Sequence, residues 1–309
     1  MGLARNTLLW ASKNEWLKNR VPKKTFIQRA VKRFMPGETA EDAILATKEL
    51  HKFNIPTTFT HLGENITTLQ EAEENTQHYL TLLEKISNEK LDIEISLKLT
   101  QIGLDLSFDK TLELFTSIAD KAKHLNNNVF IDIEDSSYVD KTINFYKTIK
   151  KNYNNVGLCL QAYLYRTMDD LKDLTKINPW IRLVKGAYKE PSSVAFPKMS
   201  QVNNNFMDLS IYLLEKIKEK GIRVAFGTHD LSIQEQLKKE TKKTELPSEK
   251  LEFQMLFGIK TSEQYKLATE GYTIRTLISY GAHWYPWYMR RLAERPANIS
   301  FVLKNLFNK

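Results

Sequence analysis

A single cysteine, Cys159, stands in a chain of 309 residues. One thiol closes no intramolecular disulfide and builds no cysteine-based zinc or iron–sulfur centre, and it suits a reducing compartment. Glycine and proline are scarce, at 11 and 9 residues. No Pro/Gly-rich hinge or low-complexity linker divides the chain, and no internal repeat is visible. The glycines never fall as G-x-G-x-x-G or as a P-loop, so dinucleotide and nucleotide sites of those types have no support. No apolar run approaches the roughly 20 residues that cross a bilayer. The six histidines are scattered and form no H-E-x-x-H, which argues against a metal site. Ser279-Tyr280-Gly281 is no nucleophile elbow, so hydrolysis through an acyl-enzyme is unsupported.

What is abundant is apolar and aromatic. Hydrophobic residues make up 42% and charged residues 27% of the chain, and Phe, Tyr and Trp together 11%. That is the composition of a globular protein with a sizeable core, and the aromatic supply also suits a planar ligand. The formal net charge is +8. Much of the excess sits between Lys216 and Lys243, where lysine is interleaved with glutamate and not with aromatics. The stretch therefore lacks the stacking platforms of a nucleic-acid groove, and nucleic acid is not an expected partner. It is read as solvated helix surface, with attraction to an acidic membrane as the alternative. The N-terminal twenty residues read as an amphipathic helix and not as a signal peptide. Trp10 and Trp16 on it are expected to pack on the domain, lipid contact being the other outcome.

The chain is expected to form one domain over 1–309, with a helical region at 1–54 and β-rich runs alternating with amphipathic stretches over 55–309. The runs are Ile55–Thr60, Leu91–Leu99, Val129–Ile133, Val156–Gln161, Trp180–Lys185, Ile222–His229, Leu251–Leu256 and one near Tyr272–Leu277. Capping boxes are predicted at Thr68 with Glu71, Ser232 with Glu235 and Thr261 with Gln264. Eight β-then-α units of this size fit an α/β fold of the (β/α)8 TIM-barrel type with N-terminal helices, an open doubly wound sheet being the runner-up. Alternation assigns the faces. Ile93, Ile95, Leu97 and Leu99 oppose Glu94, Ser96 and Lys98. Val129, Ile131 and Ile133 oppose Asp132 and Glu134. Val156, Leu158 and Leu160 oppose Gly157, Cys159 and Gln161. Ile222, Val224 and Phe226 oppose Arg223, Ala225, Gly227 and His229. With the apolar faces against the helices, Lys98, Asp132, Gln161, Arg182 and His229 point inward, most of them near the C-terminal strand ends where barrel active sites are built. The alternative is strand-end polar groups satisfied by neighbouring loops.

Lys98, Arg182, Lys185, Arg290 and Arg291 outnumber the inward carboxylates, so the cavity is expected to favour an anion. For Arg290 and Arg291, pairing with Glu294 on a surface helix remains the alternative. With neither nucleophile nor metal in prospect, redox chemistry on a bound organic cofactor is the class that remains.

In chain order, FMPGE (Phe34–Glu38), HLGEN (His61–Asn65), SLKLT (Ser96–Thr100), IDIEDS (Ile131–Ser136), LQAYLYRT (Leu160–Thr167), RLVKGAYKEP (Arg182–Pro191), FGTHD (Phe226–Asp230), FQMLFGI (Phe253–Ile259) and WYPWYMRRLAERPAN (Trp284–Asn298) resemble the monofunctional bacterial proline dehydrogenase family. The resemblance spans almost the whole chain. It implies a distorted (β/α)8 barrel that binds FAD without a Rossmann fold and oxidises L-proline to 1-pyrroline-5-carboxylate, with electrons leaving to a membrane quinone. At 309 residues the chain is too short for the aldehyde-oxidising half of the bifunctional relatives. Coupling to a separate pyrroline-5-carboxylate dehydrogenase is therefore expected, in the cytoplasm, with peripheral contact at the inner membrane face left open. By the resemblance, Lys98, Arg290 and Arg291 grip the substrate carboxylate, Tyr188 lines the pocket, and Asp132 and Arg182 are the catalytic pair, Arg182 lying near flavin N5. Ile133 (main chain), Gln161, Arg182, Lys185, Gly186, Ala187, Thr228, His229 and Glu294 hold FAD, with Gly186 letting the backbone approach it. Glu64 pairs with Arg290 as a gate. The sequence departs where the family commonly reads Y-V-P-Y-G: here it is Leu277-Ile278-Ser279-Tyr280-Gly281, so Leu277 replaces a pocket tyrosine. Thr60 also stands where an Asp is usual. These departures bear on substrate preference, with hydroxyproline or another cyclic imino acid as the alternative substrate and a non-catalytic basic scaffold as the alternative class.

Overall fold

All eight β-rich runs form strands, and the strands pair in sequence order, every pair parallel, until β8 returns to β1 and closes the ring. The computed structural model describes residues 31–63 and 66–294, with the isolated positions 10, 14, 16 and 20. The strands are β1 (Thr57–His61), β2 (Ile93–Leu97), β3 (Val129–Ile131), β4 (Val156–Gln161), β5 (Ile181–Val184), β6 (Val224–Gly227), β7 (Glu252–Leu256) and β8 (Thr273–Tyr280). The helices are α1 (Ala40–His51), α2 (Leu69–Glu89), α3 (Phe108–His124), α4 (Val139–Lys150), α5 (Thr167–Leu174), α6 (Met199–Lys220), α7 (Leu231–Lys243), α8 (Thr261–Thr269) and α9 (Trp284–Glu294).

The alternation decides the faces as expected. Ile95, Leu97, Val129, Ile131, Val156, Leu158, Ile181, Leu183 and Phe226 are all completely buried. They meet helix stripes such as Val139, Thr142, Ile143, Tyr146 and Ile149 of α4, whose three- and four-residue spacing is one helix face. Burying each such aliphatic or aromatic side chain is worth about 1.5–3 kcal/mol.

Several boundaries differ from the sequence expectation. β8 runs to Tyr280 and not to Leu277, because Ser279, unlike a proline, keeps its backbone N–H, and the strand stays in register with Thr60 and His61 of β1. The Thr68–Glu71 capping box is present. The other two caps are corrected. Asp230, and not Ser232, caps α7 by accepting from the Ser232 amide. Lys260 occupies the N-cap of α8 without a side-chain bond, while Gln264 turns its amide onto the carbonyls of Leu256 and Ile259. Trp10 and Trp16 are both exposed, so the expected packing on the domain is not what they do; the Arg20 guanidinium lies 4.9 Å from the Trp16 ring. In the lysine-rich stretch Lys216, Lys238 and Lys243 each pair with a glutamate three residues away; Lys243 is exposed as expected of a solvated helix surface, whereas Lys238 is buried and also reaches Glu270 at 2.6 Å. Among the described residues no helix is long and apolar enough to cross a membrane.

Inside the barrel, charge lies at the N-terminal end. Arg223 forks two carboxylates at once, reaching Glu94 at 2.8 and 3.1 Å and Glu252 at 2.8 and 2.9 Å. Arg275 pairs with Asp92 at 2.9 Å, and its Nε lies 3.1 Å from Glu94 Oε1 without hydrogen-bond alignment. Burial pushes the Glu94 carboxyl up, but Arg275 and Arg223 outweigh it and hold it below the usual carboxylate range. The Phe130 ring lies next to this network, its centroid 5.4 Å from the Arg223 guanidinium and 4.4 Å from that of Arg182. Gly157 makes the ring's position possible, since a Cβ there would stand 2.4 Å from Phe130 Cε1.

Breaking a buried ion network from one side leaves an uncompensated charge, which typically costs about 3–5 kcal/mol. Arg223→Met should lower the urea-unfolding free energy by about that amount. Lys243→Met, on the surface, should change it by less than about 0.5 kcal/mol. Equal midpoints for Arg223→Met and the parent would mean that the network carries no net stabilisation.

Candidate active site

The C-terminal ends of β2 to β7 gather the polar side chains that alternation turned inward. Arg182 on β5 is the centre. Its Nη1 donates to Asp132 Oδ1 at 2.7 Å and to Ser96 Oγ at 2.9 Å, and its Nε donates to Gln254 Oε1 at 2.6 Å. Ser96 in turn donates to Asp132 Oδ1 at 2.6 Å. The guanidinium is 3% exposed and rests on the Phe130 face, so it is fixed from below and on both sides. Asp132 is one residue past the end of β3, held there by its amide donating to Leu97 O.

Arg182 Nη2 is different. It is buried and has no hydrogen-bond partner among the described residues, as is Gln161 Oε1 at the end of the neighbouring strand β4. Leaving such atoms unpaired costs about 1–3 kcal/mol each. One buried donor and one buried acceptor, on the adjacent strands β5 and β4, thus lack a partner among the described residues.

Around them the loops are tied together. Lys185 pairs with Asp230 at 2.8 Å, and the same carboxylate caps α7, so the β5 and β6 ends share one anchor. Burial raises the Asp230 carboxyl, but Lys185 and the α7 amides bring it below the ordinary value. Thr228 is buried, with its hydroxyl accepting from the Asp230 amide. His229 Nε2 accepts from the Leu256 amide at 2.9 Å, which places the proton of a neutral ring on Nδ1. Gly186 has φ +112°, and a Cβ there would meet the Tyr163 ring at 2.3 Å. The glycine is thus demanded by its backbone conformation and by Tyr163, a reason separate from cofactor approach. Glu190 accepts from the Ser136 amide, the Ser136 hydroxyl and Tyr163 OH, joining the β3 and β5 loops. Tyr188 is half-buried and Ala187 exposed on that loop. Ile133 is buried, as is the Cys159 thiol, whose pKa burial pushes up to about 12.

Lys98 follows β2, and Gln101 secures the turn. The Gln101 oxygen accepts from the Lys98 amide, and its nitrogen donates to the carbonyls of His61 and Gly63. The loop leading to position 64 is therefore stitched to the Lys98 turn, while Glu64 itself lies outside the described residues. Arg290, Arg291 and Glu294 belong to α9, and their side chains lie outside the described set. The helix itself is pinned. Trp284, Tyr288 and Leu292 pack with Val31, Phe34 and Met35, and Trp284 Nε1 donates to Glu38 at 2.8 Å. On β8, Leu277 is half-buried and shares the inward parity of Arg275 and Ser279. Tyr280 faces the other way, its hydroxyl 2.7 Å from His78 Nε2 on α2.

Of the five cations expected to give the cavity its excess, Arg182 and Lys185 are paired, and the side chains of Arg290 and Arg291 lie outside the described residues. Within the described barrel interior Arg182, Arg223 and Arg275 are matched by Asp132, Glu94 and Glu252, and Lys185 has Asp230. Sequence reasoning also missed Gln254, Gln101, Glu190 and Asp230. Gln254 and Arg275 carried a usable signal, since each lies two residues from another inward polar position. Gln101 and Glu190 sit in loops, where no periodicity applies.

The proline dehydrogenase family profile matches residues 43–304. The chain is 37% identical over 308 residues to Proline dehydrogenase 1 of Bacillus subtilis subsp. natto, covering 99% of this chain and 100% of that protein. It is 33% identical over 279 residues to the proline dehydrogenase of Deinococcus radiodurans, 89% of each. Among solved structures, proline utilization A (PutA) from Bdellovibrio bacteriovorus superposes with a TM-score of 0.84 at 23% identity, covering 97% of this chain and 37% of that longer one. That likeness concerns the barrel alone, and this chain spans well under half of the larger protein. The candidate site thus lies in a closed (β/α)8 barrel of the kind these proteins share. The chain belongs to the proline dehydrogenase family.

The β1 end carries a pH-sensitive packing contact. His61 stacks on His78 at 4.1 Å, and its pKa is lowered to about 4, by burial first and then by His78 and His283. An unfolded histidine titrates near 6.5. Between those values the unfolded chain takes up a proton that the folded chain refuses, so stability is present above pH 6.5 and declines as pH falls toward 4. His61→Phe keeps an aromatic stack and removes the titration. Urea midpoints at pH 7 and pH 5 should therefore differ less in the variant than in the parent; an equal or larger difference would contradict the assignment.

Proposed function

We propose that this protein oxidises L-proline to 1-pyrroline-5-carboxylate with FAD as cofactor and passes the electrons to a quinone. The observation that carries the proposal is the fixed Arg182–Asp132–Ser96–Gln254 cluster, with Arg182 Nη2 and Gln161 Oε1 left as buried donor and acceptor. A flavin edge, which carries both acceptors and an N–H, fits that pair. FAD, when bound, supplies the acceptor for the two electrons that leave carbon 5 of the substrate.

The chain's own residues have three tasks. Gln161, Arg182, Lys185, Gly186, Ala187, Thr228, His229, Glu294 and the Ile133 main chain hold the cofactor. Lys98, Arg290 and Arg291 fix the substrate carboxylate, leaving the far side of the proline ring toward the reacting face, with Tyr188 and Leu277 as walls and a Glu64–Arg290 pair as gate. Asp132 balances the Arg182 charge and orients it. A cation held beside the electron-accepting edge favours the reduced state without moving during the reaction. The imino nitrogen must reach the site unprotonated, because its lone pair assists loss of hydride from carbon 5. No nucleophile or metal is called on. The product is an imine, which fits onward oxidation by a separate pyrroline-5-carboxylate dehydrogenase. The nearby Leu277 bears on which imino acids enter.

Protein reconstituted with FAD should be yellow, with about one FAD per chain, and should bleach anaerobically on addition of L-proline. Folded protein that stays colourless, or a yellow protein that proline does not bleach, would sink the proposal.

Leu277 gives a second, sharper outcome. It is half-buried on the inward face of β8, and Tyr280 points away to His78 and cannot supply a ring there. A leucine leaves more room around carbon 4 of the substrate than a tyrosine and offers an added hydroxyl no hydrogen bond. A pocket change of this size is worth roughly 1–3 kcal/mol of discrimination. In Leu277→Tyr the ratio of kcat/KM for proline to that for 4-hydroxyproline should rise. A ratio that stays level or falls would remove Leu277 from the pocket wall.

A further inference from the structure

We infer that Gln254 is a positioning residue for Arg182, set in place by the Glu252 carboxylate behind it; the inference rests on the proposed flavin site. Gln254 is buried on β7, where it accepts from Arg182 Nε at 2.6 Å and donates to Glu252 Oε1 at 2.8 Å. Its amide can be satisfied in only one orientation. A guanidinium only donates and an ionised carboxylate only accepts, so the oxygen must face Arg182 and the nitrogen Glu252. Glu252 cannot turn away, because Arg223 holds both of its oxygens, at 2.8 and 2.9 Å.

The consequence lies at the other end of the guanidinium. With Nε committed to Gln254, and Nη1 to Asp132 and Ser96, the plane of the fork is fixed and Nη2 is the remaining donor group. Asp132 and Ser96 both engage the one nitrogen Nη1, at one end of the fork, and the Phe130 ring lies against one face. Gln254 supplies the contact at Nε, on the edge that none of them reaches. Its neutrality matters as well. A carboxylate in its place would set a second negative charge against Arg182 and lie beside Glu252, whereas the amide orients the arginine and leaves its charge for the ligand.

The test compares Gln254→Met, which keeps volume and removes the acceptor, with Gln254→Glu, which keeps an oxygen on Arg182. The FAD-loaded proteins are followed by visible absorption, by anaerobic flavin reduction with proline, and by KM. In the Met protein the flavin band should shift, and the reduction rate should fall on the order of 10²-fold, the scale of a misplacement of about 1 Å. KM should stay within about threefold, since the carboxylate anchors are elsewhere. The Glu protein still offers an oxygen to Arg182 Nε and should keep the parent band, while its added charge lowers the reduction rate about tenfold. The inference is overturned if the Met protein keeps the parent's band and rate, or if the Glu protein loses the parent band. The second result decides the matter even if the Met protein does not fold. A parent protein that fails to bind FAD or to be reduced by proline defeats the proposed function itself, before any Gln254 variant is compared.

Discussion

The one constraint on which the rest depends is the closure of eight parallel strands into a ring. Closure turns every second side chain into a shared interior that is too narrow for free solvent, so each polar group placed there must find a partner from another strand. Arg223 and Arg275 find theirs in Glu94, Glu252 and Asp92. Arg182 finds Asp132, Ser96 and Gln254. Phe130 lies within reach of both the Arg182 and the Arg223 guanidiniums, and Gly157 gives up its side chain to make room for that ring. A substitution at Gly157 would thus act on the arginine without touching it, through the displaced ring.

How much of this was legible in the sequence follows from where each residue sits. Inside strands a period of two leaves no ambiguity. The inward set of Ser96, Asp132, Gln161 and Arg182 could be read because outward neighbours such as Ile95, Ile131, Leu160 and Leu183 are apolar without exception. Strand limits were harder, because a strand ends where its partner's hydrogen bonds end and not where hydrophobicity stops. The extension of β8 to Tyr280 depends on register with His61, a residue more than two hundred positions away. Helix starts at Ser232 and Thr261 failed for a related reason. Their capping signature is local, while Asp230 was recruited by Lys185 and Gln264 by the carbonyls of the β7 end. Gln101 and Glu190 could not have been found by pattern at all, since each acts by filling all the hydrogen-bonding directions of a loop.

Positions where the chain leaves the usual family sequence fall on one seam. Thr60 and Ser279 are register partners across β1 and β8, and Leu277 lies two residues before Ser279 on the same face. These changes therefore alter one continuous wall of the mouth. The Arg182 cluster is built from β2, β3, β5 and β7 and is left intact. Such a division fits the proposal that Leu277 bears on substrate preference, since the charged centre is built from other strands.

The balance of charge inside the ring gives the cluster its chemical sense. Arg182, Arg223 and Arg275 meet Asp132, Glu94 and Glu252, all buried or half-buried, so these six groups together carry little net charge. At an effective dielectric constant near 20, a pair of unit charges 4 Å apart interacts by about 4 kcal/mol. One further carboxylate beside Arg182 would be enough to cancel the attraction it can offer a ligand. The protein instead places neutral acceptors, Ser96 and Gln254, on the remaining directions, and it keeps the Glu252 charge one amide away and engaged by Arg223. Arg182 is thereby held as rigidly as an arginine in an ion-pair lattice, yet one of its two terminal nitrogens stays unspent at the mouth. A cation held rigidly with a single carboxylate partner suits the role proposed for Arg182, in which it is in place before charge arrives.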